Sequence, residues 1–306
     1  MVTNDEVRAA ATRIAGRVRR TPVMASGPSE WFKLEYVQHA GSFKTRGIMN
    51  RIMAAGALPA AGVVAASGGN AGLAAAYAAR ELGVPAEVYV PETAPPVKVA
   101  KLGKLGATVT QVGSEYAEAY AAAVIHAETT GALFCHAYDH PDMVAGNGTL
   151  GLELLDQLPD GFDTVLVAVG GGGLAAGVAA ALHGSARIIA VEPETSAALH
   201  VALARGGPVD VPVSGVAADS LGARRVGTIA YETAVATAMT SVLVDDAAIV
   251  TARRRLWDDY RIAVEHGTAA AYAALISGAH TPARGERVVV LLCGANTDPS
   301  DLAAGI

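Results

Sequence analysis

Residues 167–177, VAVGGGGLAAG, decide the fold that the sequence predicts. An apolar run, DTVLVAV (163–169), leads into four consecutive glycines, Gly170 to Gly173, and an alanine-rich helix is predicted over 174–183. A buried strand that passes through a glycine turn into a helix is the repeating unit of α/β folds. We therefore expect an α/β protein, and the same pattern occurs on both sides of this stretch.

Apolar, β-branched runs alternate with helical patterns along the rest of the chain. Strands are predicted at 62–67, 86–90, 107–112, 187–192 and 287–293, and helices at 4–20, 42–56, 70–83, 95–106 and 115–131. Continuous apolar strands predict open, mostly parallel sheets covered by helices. Because the strand series occurs twice, we expect two domains, a large one of residues 1–60 and 140–306 and a small one of residues 61–139.

The composition excludes several classes of protein. Of the 306 residues 52% are hydrophobic and 17% are charged, which excludes a disordered chain. The net charge is −6 and there is no basic stripe, so nucleic acid is not expected as a partner. No apolar run is long enough to span a bilayer and the N-terminus does not resemble a signal peptide, so we expect a cytoplasmic protein with Cys135 and Cys293 reduced.

The four glycines indicate an anion site. Bare backbone amides at a helix N-terminus bind anions, and one or two glycines would be enough for a tight turn alone. A P-loop is excluded because no Gly-Lys-Ser/Thr follows. A dinucleotide site is an alternative, since Gly171, Gly173 and Gly177 are followed by Glu192 at the end of the next strand. That alternative leaves Lys44 unexplained, whereas a small cofactor with a single phosphate fits both.

Lys44 lies within GSFKTRG, residues 41–47, at the predicted start of a helix for which Ser42 is the expected N-cap. The positive partial charge of a helix N-terminus disfavours a protonated lysine, which is the direction that a nucleophilic amine needs. A solvated lysine in the first helical turn is an equally good interpretation of this residue alone.

A second polar turn, SGGNAG, spans residues 67–72. Ser67 and the backbone amides of Gly68 to Ala71 are placed to hold a carboxylate at the N-terminus of the following helix. The Asn70 side chain can donate to a phenolic or carbonyl oxygen. The alternative interpretation is an ordinary helix N-cap.

These motifs together resemble a known family. GSFKTRG, SGGNAG, VGGGGLAAG, AVEPE and LLCGANTD occur in the order found in the serine/threonine dehydratase group of fold-type II, or tryptophan synthase β-like, pyridoxal-phosphate enzymes. The resemblance covers about residues 20–298. It implies a pyridoxal 5'-phosphate cofactor, an amino-acid substrate, a homodimer, and the dehydration and deamination of L-serine or L-threonine to a 2-oxo acid and ammonia.

The resemblance also implies a role for each matching residue. Lys44 would form the Schiff base with the cofactor, Phe43 would pack on its ring, Asn70 would bind its phenolic oxygen, and Cys293 would face its pyridine nitrogen. The phosphate would be bound by Gly170, Gly171, Gly172, Gly173 and Leu174, and the substrate carboxylate by Ser67, Gly68, Gly69, Asn70 and Ala71. A neutral thiol at Cys293 would make the ring a mild electron sink, which suits expulsion of a β-leaving group; a small buried side chain is the alternative interpretation.

Three positions depart from the family pattern. Gly68 stands where serine racemases have a second serine, which favours dehydration over racemisation. Glu192 matches one ligand of a divalent metal site found in some relatives, but Ala198 replaces the second ligand, so Glu192, even with Asp219, is a weak candidate and no metal is expected. Glu265 remains near the cofactor or, alternatively, complements a helix dipole, although His266 replaces a proline.

Other functions stay open at this point. They are a sibling pyridoxal-phosphate activity (3-hydroxyaspartate dehydratase, serine racemase or β-replacement synthase), an NAD-dependent oxidoreductase, and a catalytically silent binding module. For His136, His140 and His266 we expect structural polar contacts and not catalysis. The chain ends soon after CGANTDPSDL, so we expect no regulatory domain and no feedback by isoleucine.

Overall fold

The computed structural model describes residues 1–302. Its strands are β1 (Val23–Gly27), β2 (Glu30–Lys33), β3 (Val63–Ala66), β4 (Ala86–Val90), β5 (Thr108–Gln111), β6 (Leu133–Phe134), β7 (Thr164–Ala168), β8 (Arg187–Pro193), β9 (Thr240–Val244) and β10 (Val288–Leu291). Its helices are α1 (Asn4–Ile14), α2 (Lys44–Ala54), α3 (Asn70–Leu82), α4 (Pro96–Lys104), α5 (Tyr116–Thr130), α6 (Pro141–Gln157), α7 (Gly173–Leu182), α8 (Ala198–Arg205), α9 (Ala218–Leu221), α10 (Thr228–Ala236), α11 (Asp246–Tyr260) and α12 (His266–Ile276). None of these helices combines the length and the apolarity that crossing a membrane requires.

The strands form two sheets. One has the order β1-β2-β10-β7-β8-β9 and the other the order β5-β4-β3-β6. Within residues 1–302 the strands pair in parallel, apart from the antiparallel pair β1–β2. The predicted α/β class with two mostly parallel sheets covered by helices is therefore confirmed. The strands of the smaller sheet all lie inside the range predicted for the small domain; the domain boundaries themselves stay a prediction.

The central strands are buried on both faces, which explains their continuous apolar sequences. Every residue of β7 and of β10 is buried. Side chains alternate between the faces of a strand, so Val165 packs with α6 and α7 while Leu166 packs with α11 and α12 on the opposite face. This double cover is what an α/β sheet needs in order to be stable.

Two of the predicted helices have different bounds in the structure. The helix predicted over 4–20 ends at Ile14, because Ala15 has a non-helical ψ of 132° and Gly16 has φ of 74°. The helix predicted over 42–56 begins at Lys44, and the prediction that Ser42 caps it is wrong. Ser42 is extended, its hydroxyl is buried without a hydrogen-bond partner, and the N-cap position is held by Phe43.

The parallel strands bring three loops to the carboxyl edges of the sheets, where ligands bind in such folds. The turn at Ser67 follows β3, the four glycines follow β7, and Cys293 follows β10. The start of α2 is joined to the last of these, because the Phe43 amide donates to the Cys293 carbonyl oxygen at 3.0 Å. Lys44 is thereby held beside the end of the larger sheet.

Candidate active site

Lys44 is a partly buried amine at the first position of α2. Its Nζ donates to the carbonyl oxygen of Ala137 at 2.5 Å and lies 4.9 Å from the centroid of the Phe43 ring. Burial lowers the pKa of Lys44 to about 8, although the nearby Cys293 and Glu265 act in the opposite direction. An appreciable fraction of this amine is therefore neutral near physiological pH, as a nucleophile or a general base requires.

The four-glycine loop has the features of an anion cradle. Within residues 1–302, the amides of Gly170, Gly171, Gly172, Gly173 and Leu174 donate to no backbone carbonyl. Gly172 has φ of 84°, and a Cβ added to it would lie 2.4 Å from the Ala230 Cβ. A Cβ on Gly173 would lie 2.6 Å from the Tyr138 carbonyl oxygen. These residues therefore fit a phosphate, because the amides at the helix N-terminus have no backbone acceptor and the glycines carry no side chain that would keep an anion away.

Replacing Gly171 with alanine is expected to weaken binding of pyridoxal phosphate by about 10- to 100-fold. The added Cβ would lie 2.3 Å from Cγ of Tyr138, and such overpacking costs about 1–3 kcal/mol. Gly103→Ala is the matched control, since nothing lies within 4 Å of a Cβ there. The measurement is a titration of each apoenzyme with the cofactor followed by visible absorbance; equal affinities in the two variants would contradict the prediction.

The loop of residues 67–72 offers a second group of amides. The amides of Gly68, Asn70 and Ala71 donate to no backbone carbonyl within the described part of the chain. Ser67 is not an ordinary N-cap, because the cap position of α3 is Gly69 and the Ser67 hydroxyl accepts from the Gly69 amide at 3.2 Å. This geometry fits the predicted carboxylate site.

Asn70, Glu265 and Asn296 form a partly buried hydrogen-bonded group. Asn70 Nδ2 lies 3.0 Å from both carboxylate oxygens of Glu265, and its Oδ1 accepts from Asn296 Nδ2 at 2.6 Å. The Asn296 amide donates to Glu265 at 2.8 Å, and burial raises the pKa of Glu265. Glu265 occupies the N-cap position of α12 without a side-chain capping bond, and its two carboxylate oxygens instead accept from Asn70. Asn296 lies in the motif LLCGANTD, but its role was not predicted from the sequence.

Cys293 lies at the end of β10 as a buried thiol. Burial raises its pKa to about 12, so the thiol is neutral. Thr268 Oγ1 lies 3.4 Å from Cys293 Sγ, donates to the Gly294 carbonyl oxygen at 2.9 Å and accepts from the Gly294 amide at 2.9 Å. Thr268 thus holds the thiol in place. Thr268 was not predicted as a site residue, because nothing in the local sequence pattern distinguishes it from a core residue of α12.

Tyr138 is, after Asn296 and Thr268, a third site residue that was not predicted from the sequence. Its ring lies against the four-glycine loop, and its centroid is 5.9 Å from Lys44 Nζ. Beside the 67–72 loop a cavity of about 450 Å³ opens to the surface, and Lys98 and Asp219 form an ion pair at its lining. The site therefore has room for a substrate next to the amides of that loop.

The two carboxylates considered for a metal are engaged elsewhere. Glu192 is buried, and its oxygens accept from the amides of Leu199 and His200, both at 2.7 Å, and from the Ser241 hydroxyl at 3.1 Å. Asp219 belongs to α9 and pairs with Lys98. Among residues 1–302, no three His, Cys, Asp or Glu side chains converge in a metal-binding group.

An amine of lowered pKa together with a four-glycine loop whose amides have no backbone acceptor is typical of an enzyme that binds a phosphorylated cofactor. The family described as "Pyridoxal-phosphate dependent enzyme" matches residues 14–294. The chain belongs to this family, and it has the tryptophan synthase β-like fold. The resemblance seen in the sequence and the predicted cofactor, pyridoxal phosphate, are therefore confirmed.

Similar proteins carry several activities within this family. The L-threonine ammonia-lyase of Geobacter sulfurreducens is 38% identical over 303 residues, which cover 95% of this chain and 75% of that protein. The phenylserine dehydratase of Ralstonia pickettii is 37% identical over 302 residues, or 95% of this chain and 92% of that protein. Maize serine racemase has the same fold, with a TM-score of 0.90 and 32% identity over 99% of this chain and 96% of that one.

The alternative of an NAD-dependent oxidoreductase is wrong. The family match covers both the glycine loop and Glu192, on which that alternative depended. Glu192 is also fully buried, and its two oxygens already accept from two backbone amides, so the carboxylate is not presented to a ribose hydroxyl. Gly177, the third of the spaced glycines, instead serves helix packing, since a Cβ on it would lie 2.3 Å from the Val144 carbonyl oxygen.

Proposed function

We propose that this chain is a pyridoxal-phosphate-dependent ammonia-lyase that dehydrates L-serine or L-threonine to a 2-oxo acid and ammonia. The observation that carries the proposal is the Lys44 amine, with its pKa lowered to about 8, near a loop in which Gly68 offers no second hydroxyl. The relatives named threonine ammonia-lyase and phenylserine dehydratase support a β-hydroxy amino acid as the substrate.

Each site residue has a role in this proposal. When bound, the cofactor supplies a conjugated ring that withdraws electrons from the α-carbon of the substrate. The amides of Gly170 to Leu174 would hold its phosphate, and Asn70, oriented by Glu265, would donate to its phenolic oxygen. The Ser67 loop would bind the substrate carboxylate. Lys44 Nζ would hold the aldehyde end and accept the α-proton.

Cys293 supports elimination in this proposal. A thiol whose pKa is raised to about 12 cannot keep a pyridine nitrogen firmly protonated, so the electron withdrawal at the α-carbon is mild. With the cofactor bound, such mild withdrawal would suit departure of the β-hydroxyl group, which takes up a proton and leaves as water, more than return of the α-proton. Loss of water is then favoured over exchange of the α-proton.

Racemisation is the second candidate, because a serine racemase is among the similar proteins. Two-faced proton transfer needs a second acid/base group, and the family resemblance places it at position 68. A Cβ on Gly68 would lie 3.5 Å from the nearest atom, Val90 Cγ1, so a side chain fits there. We expect Gly68→Ser to gain racemisation of L-serine, measured by chiral chromatography, while the matched Gly68→Ala variant gains none. Racemisation by the unaltered enzyme at a rate equal to elimination would contradict this assignment.

The decisive assay measures ammonia and 2-oxo acid from a panel of β-hydroxy amino acids of both chiralities, including 3-hydroxyaspartate and phenylserine. We expect release from L-serine or L-threonine, and little or none from the D-isomers. If ammonia is released only from 3-hydroxyaspartate or only from phenylserine, that amino acid is the substrate in place of L-serine or L-threonine. Incorporation of a sulfur nucleophile without 2-oxo acid would indicate a β-replacement synthase, and a silent enzyme that still binds the cofactor would indicate a binding module.

We also propose that the enzyme is a cytoplasmic homodimer whose small domain is residues 61–139. The dimer rests on the family resemblance and the cytoplasmic location on the sequence argument. Light scattering on the purified protein tests the dimer, and a monomer at micromolar concentration would contradict it. Limited proteolysis that releases a fragment near residues 61–139 would support the domain boundaries.

A further inference from the structure

A tight turn of residues 136–139 follows β6 and contacts the site. The His136 ring nitrogen Nδ1 accepts from the backbone amides of Tyr138, at 3.2 Å, and Asp139, at 2.9 Å. An imidazole nitrogen accepts a hydrogen bond only when it carries no proton, so the ring is neutral and its hydrogen is on Nε2. The two bonds fold the chain so that the carbonyl group of Ala137 lies within reach of Lys44.

The Ala137 carbonyl oxygen is the atom that receives the Lys44 amine, at 2.5 Å. Within the described residues it is the only acceptor at hydrogen-bond distance from Lys44 Nζ. The placement of the amine therefore depends on the backbone carbonyl group of Ala137. The two hydrogen bonds of the turn set the direction of that group. Among the described residues, no side chain of the turn forms a hydrogen bond with Nζ, and the Tyr138 ring centroid lies 5.9 Å from it.

The C-terminal end of the turn forms hydrogen bonds with α10 and with the residues just before it. The Asp139 carboxylate accepts from the amides of Thr228 and Ile229, at 3.0 and 3.1 Å, at the start of α10. The Tyr138 ring lies against Gly171, and its hydroxyl donates to the Arg225 carbonyl oxygen at 3.3 Å. These contacts fix the C-terminal end of the turn, Tyr138 and Asp139. The His136 ring fixes its N-terminal end.

We propose that His136 is a positioning residue, whose neutral ring holds the turn that directs the Ala137 carbonyl oxygen to the Lys44 amine. The proposal goes beyond the reaction proposed above, because it concerns the amine itself whatever amino acid the enzyme accepts. His136 does not touch the amine. It acts on the location of the amine, and on its affinity for a proton, through the peptide group of Ala137.

The surroundings of His136 are consistent with a neutral ring. Burial lowers the pKa of His136, and the nearby Lys44 and His140 lower it further, while Asp139 raises it. The rings of Tyr120, Phe134 and Tyr138 pack edge-on around it, with centroids 6.1, 6.4 and 4.9 Å away. In a charged imidazolium, Nδ1 would carry a hydrogen and could no longer accept from the two amides, and the ring's positive charge would lie near that of Lys44. The turn is therefore stable only with the neutral ring.

Two substitutions of His136 separate this role from general packing. Asn carries an acceptor on Cγ, as histidine carries Nδ1, whereas Gln places its acceptor one bond further out. His136→Asn should therefore keep the turn, and His136→Gln should release it. The first readout is the pH dependence with which a small acylating reagent labels Lys44 in the apoenzyme, quantified by mass spectrometry of the peptide.

In wild type and in His136→Asn we expect the same apparent pKa for Lys44. In His136→Gln we expect it to fall by about one unit, because a carbonyl oxygen stabilises the ammonium form and one hydrogen bond is lost. In the holoenzyme the kcat of His136→Gln should fall about tenfold, and that of the Asn variant should stay near wild type. Equal labelling curves for Asn and Gln, or loss of kcat in both, would overturn the proposal.

A measurement on the unaltered protein keeps the proposal testable if His136→Gln does not fold. The nitrogen chemical shifts of the His136 ring report its tautomer directly. We expect an unprotonated Nδ1 and a protonated Nε2 between about pH 6 and 9. A hydrogen on Nδ1 anywhere in this range would overturn the proposal, since Nδ1 then accepts neither amide.

Discussion

Replacement of Lys44 by alanine is expected to lower the rate of ammonia release by about 10²–10⁴-fold or more. A general base alone contributes about that much, and the same Nζ also holds the cofactor in the proposed reaction. The structure places one amine in this position, with its pKa lowered to about 8. The measurement is steady-state ammonia release at saturating cofactor, with thermal unfolding recorded on the same samples.

Two further variants make the Lys44 result specific. Lys44→Arg keeps a long cationic side chain but has no neutral form near physiological pH, so we expect it to be as inactive as the alanine variant. Lys104→Ala removes an exposed lysine at the end of α4 and should leave the rate unchanged. Substantial ammonia release by Lys44→Arg would show that the residue acts only as a positive charge and would contradict the proposed mechanism.

The parts of the fold that the sequence predicted are the ones whose pattern is local. The strand predicted over 86–90 is β4 with the same bounds, and 187–192 differs from β8 by one residue, because continuous apolar runs indicate buried parallel strands. The hairpin β1–β2 and the edge strand β9 were not predicted. Most residues of β1 and β9 are only partly buried, so their alternation is weak, and their pairing is decided by distant strands.

Helix α6 shows a signal that our reading of the sequence did not use. His140 is its N-cap and accepts from the Asp142 amide at 3.2 Å, and Pro141 follows at the first helical position. A polar residue, a proline and an acidic residue in succession are typical of a helix start. The expectation that His140 makes structural contacts is confirmed, and so is that for the His136 ring, although its contacts also bear on the site.

The residues of the candidate site also fall into two groups, those that the sequence identifies and those that it does not. Lys44, Asn70 and the glycine loop lie in short motifs and could be identified from sequence alone, although their roles stay predictions. Tyr138, Thr268 and Asn296 could not be assigned a role, because their importance depends on contacts across the fold. Thr268 meets Cys293 over 25 positions of chain, and Asn296 meets Asn70 over 226. Local propensity carries no information about contacts at that separation.

Removal of the Arg46 side chain is expected to destabilise the protein by about 3–5 kcal/mol. Arg46 is 1% exposed and lies two residues after Lys44 in α2. Its guanidinium group forms two bonds to Glu35, at 2.6 and 2.9 Å, and a third to Glu153 at 2.7 Å. Lys33 donates to the other oxygen of Glu153 at 2.6 Å. The buried cluster therefore contains two cations and two carboxylates, and its charges balance.

Arg46→Met breaks this balance, because the fully buried Glu35 loses its cation and keeps only neutral donors such as the Thr21 hydroxyl. Arg51→Met is the matched control, since Arg51 lies on the same helix and its ion pair with Asp142 is longer, at 3.4 Å, and partly exposed. For that variant we expect a change of about 0–1 kcal/mol. The measurement is the free energy of unfolding from denaturant titrations of the holoenzyme variants.

A double variant, Arg46→Met with Glu35→Leu, decides whether charge or packing causes the loss. It removes one cation and one carboxylate together and leaves the Lys33–Glu153 pair neutral. Buried ion pairs replaced by apolar groups of similar volume are often neutral in stability, so the double variant should be more stable than Arg46→Met alone. If Glu35→Leu adds a further loss in the free energy of unfolding to that of Arg46→Met, lost packing of the long Arg46 side chain is the cause. If stability returns, the cluster acts through its charge balance, and the helix that presents Lys44 is held in place by electrostatics.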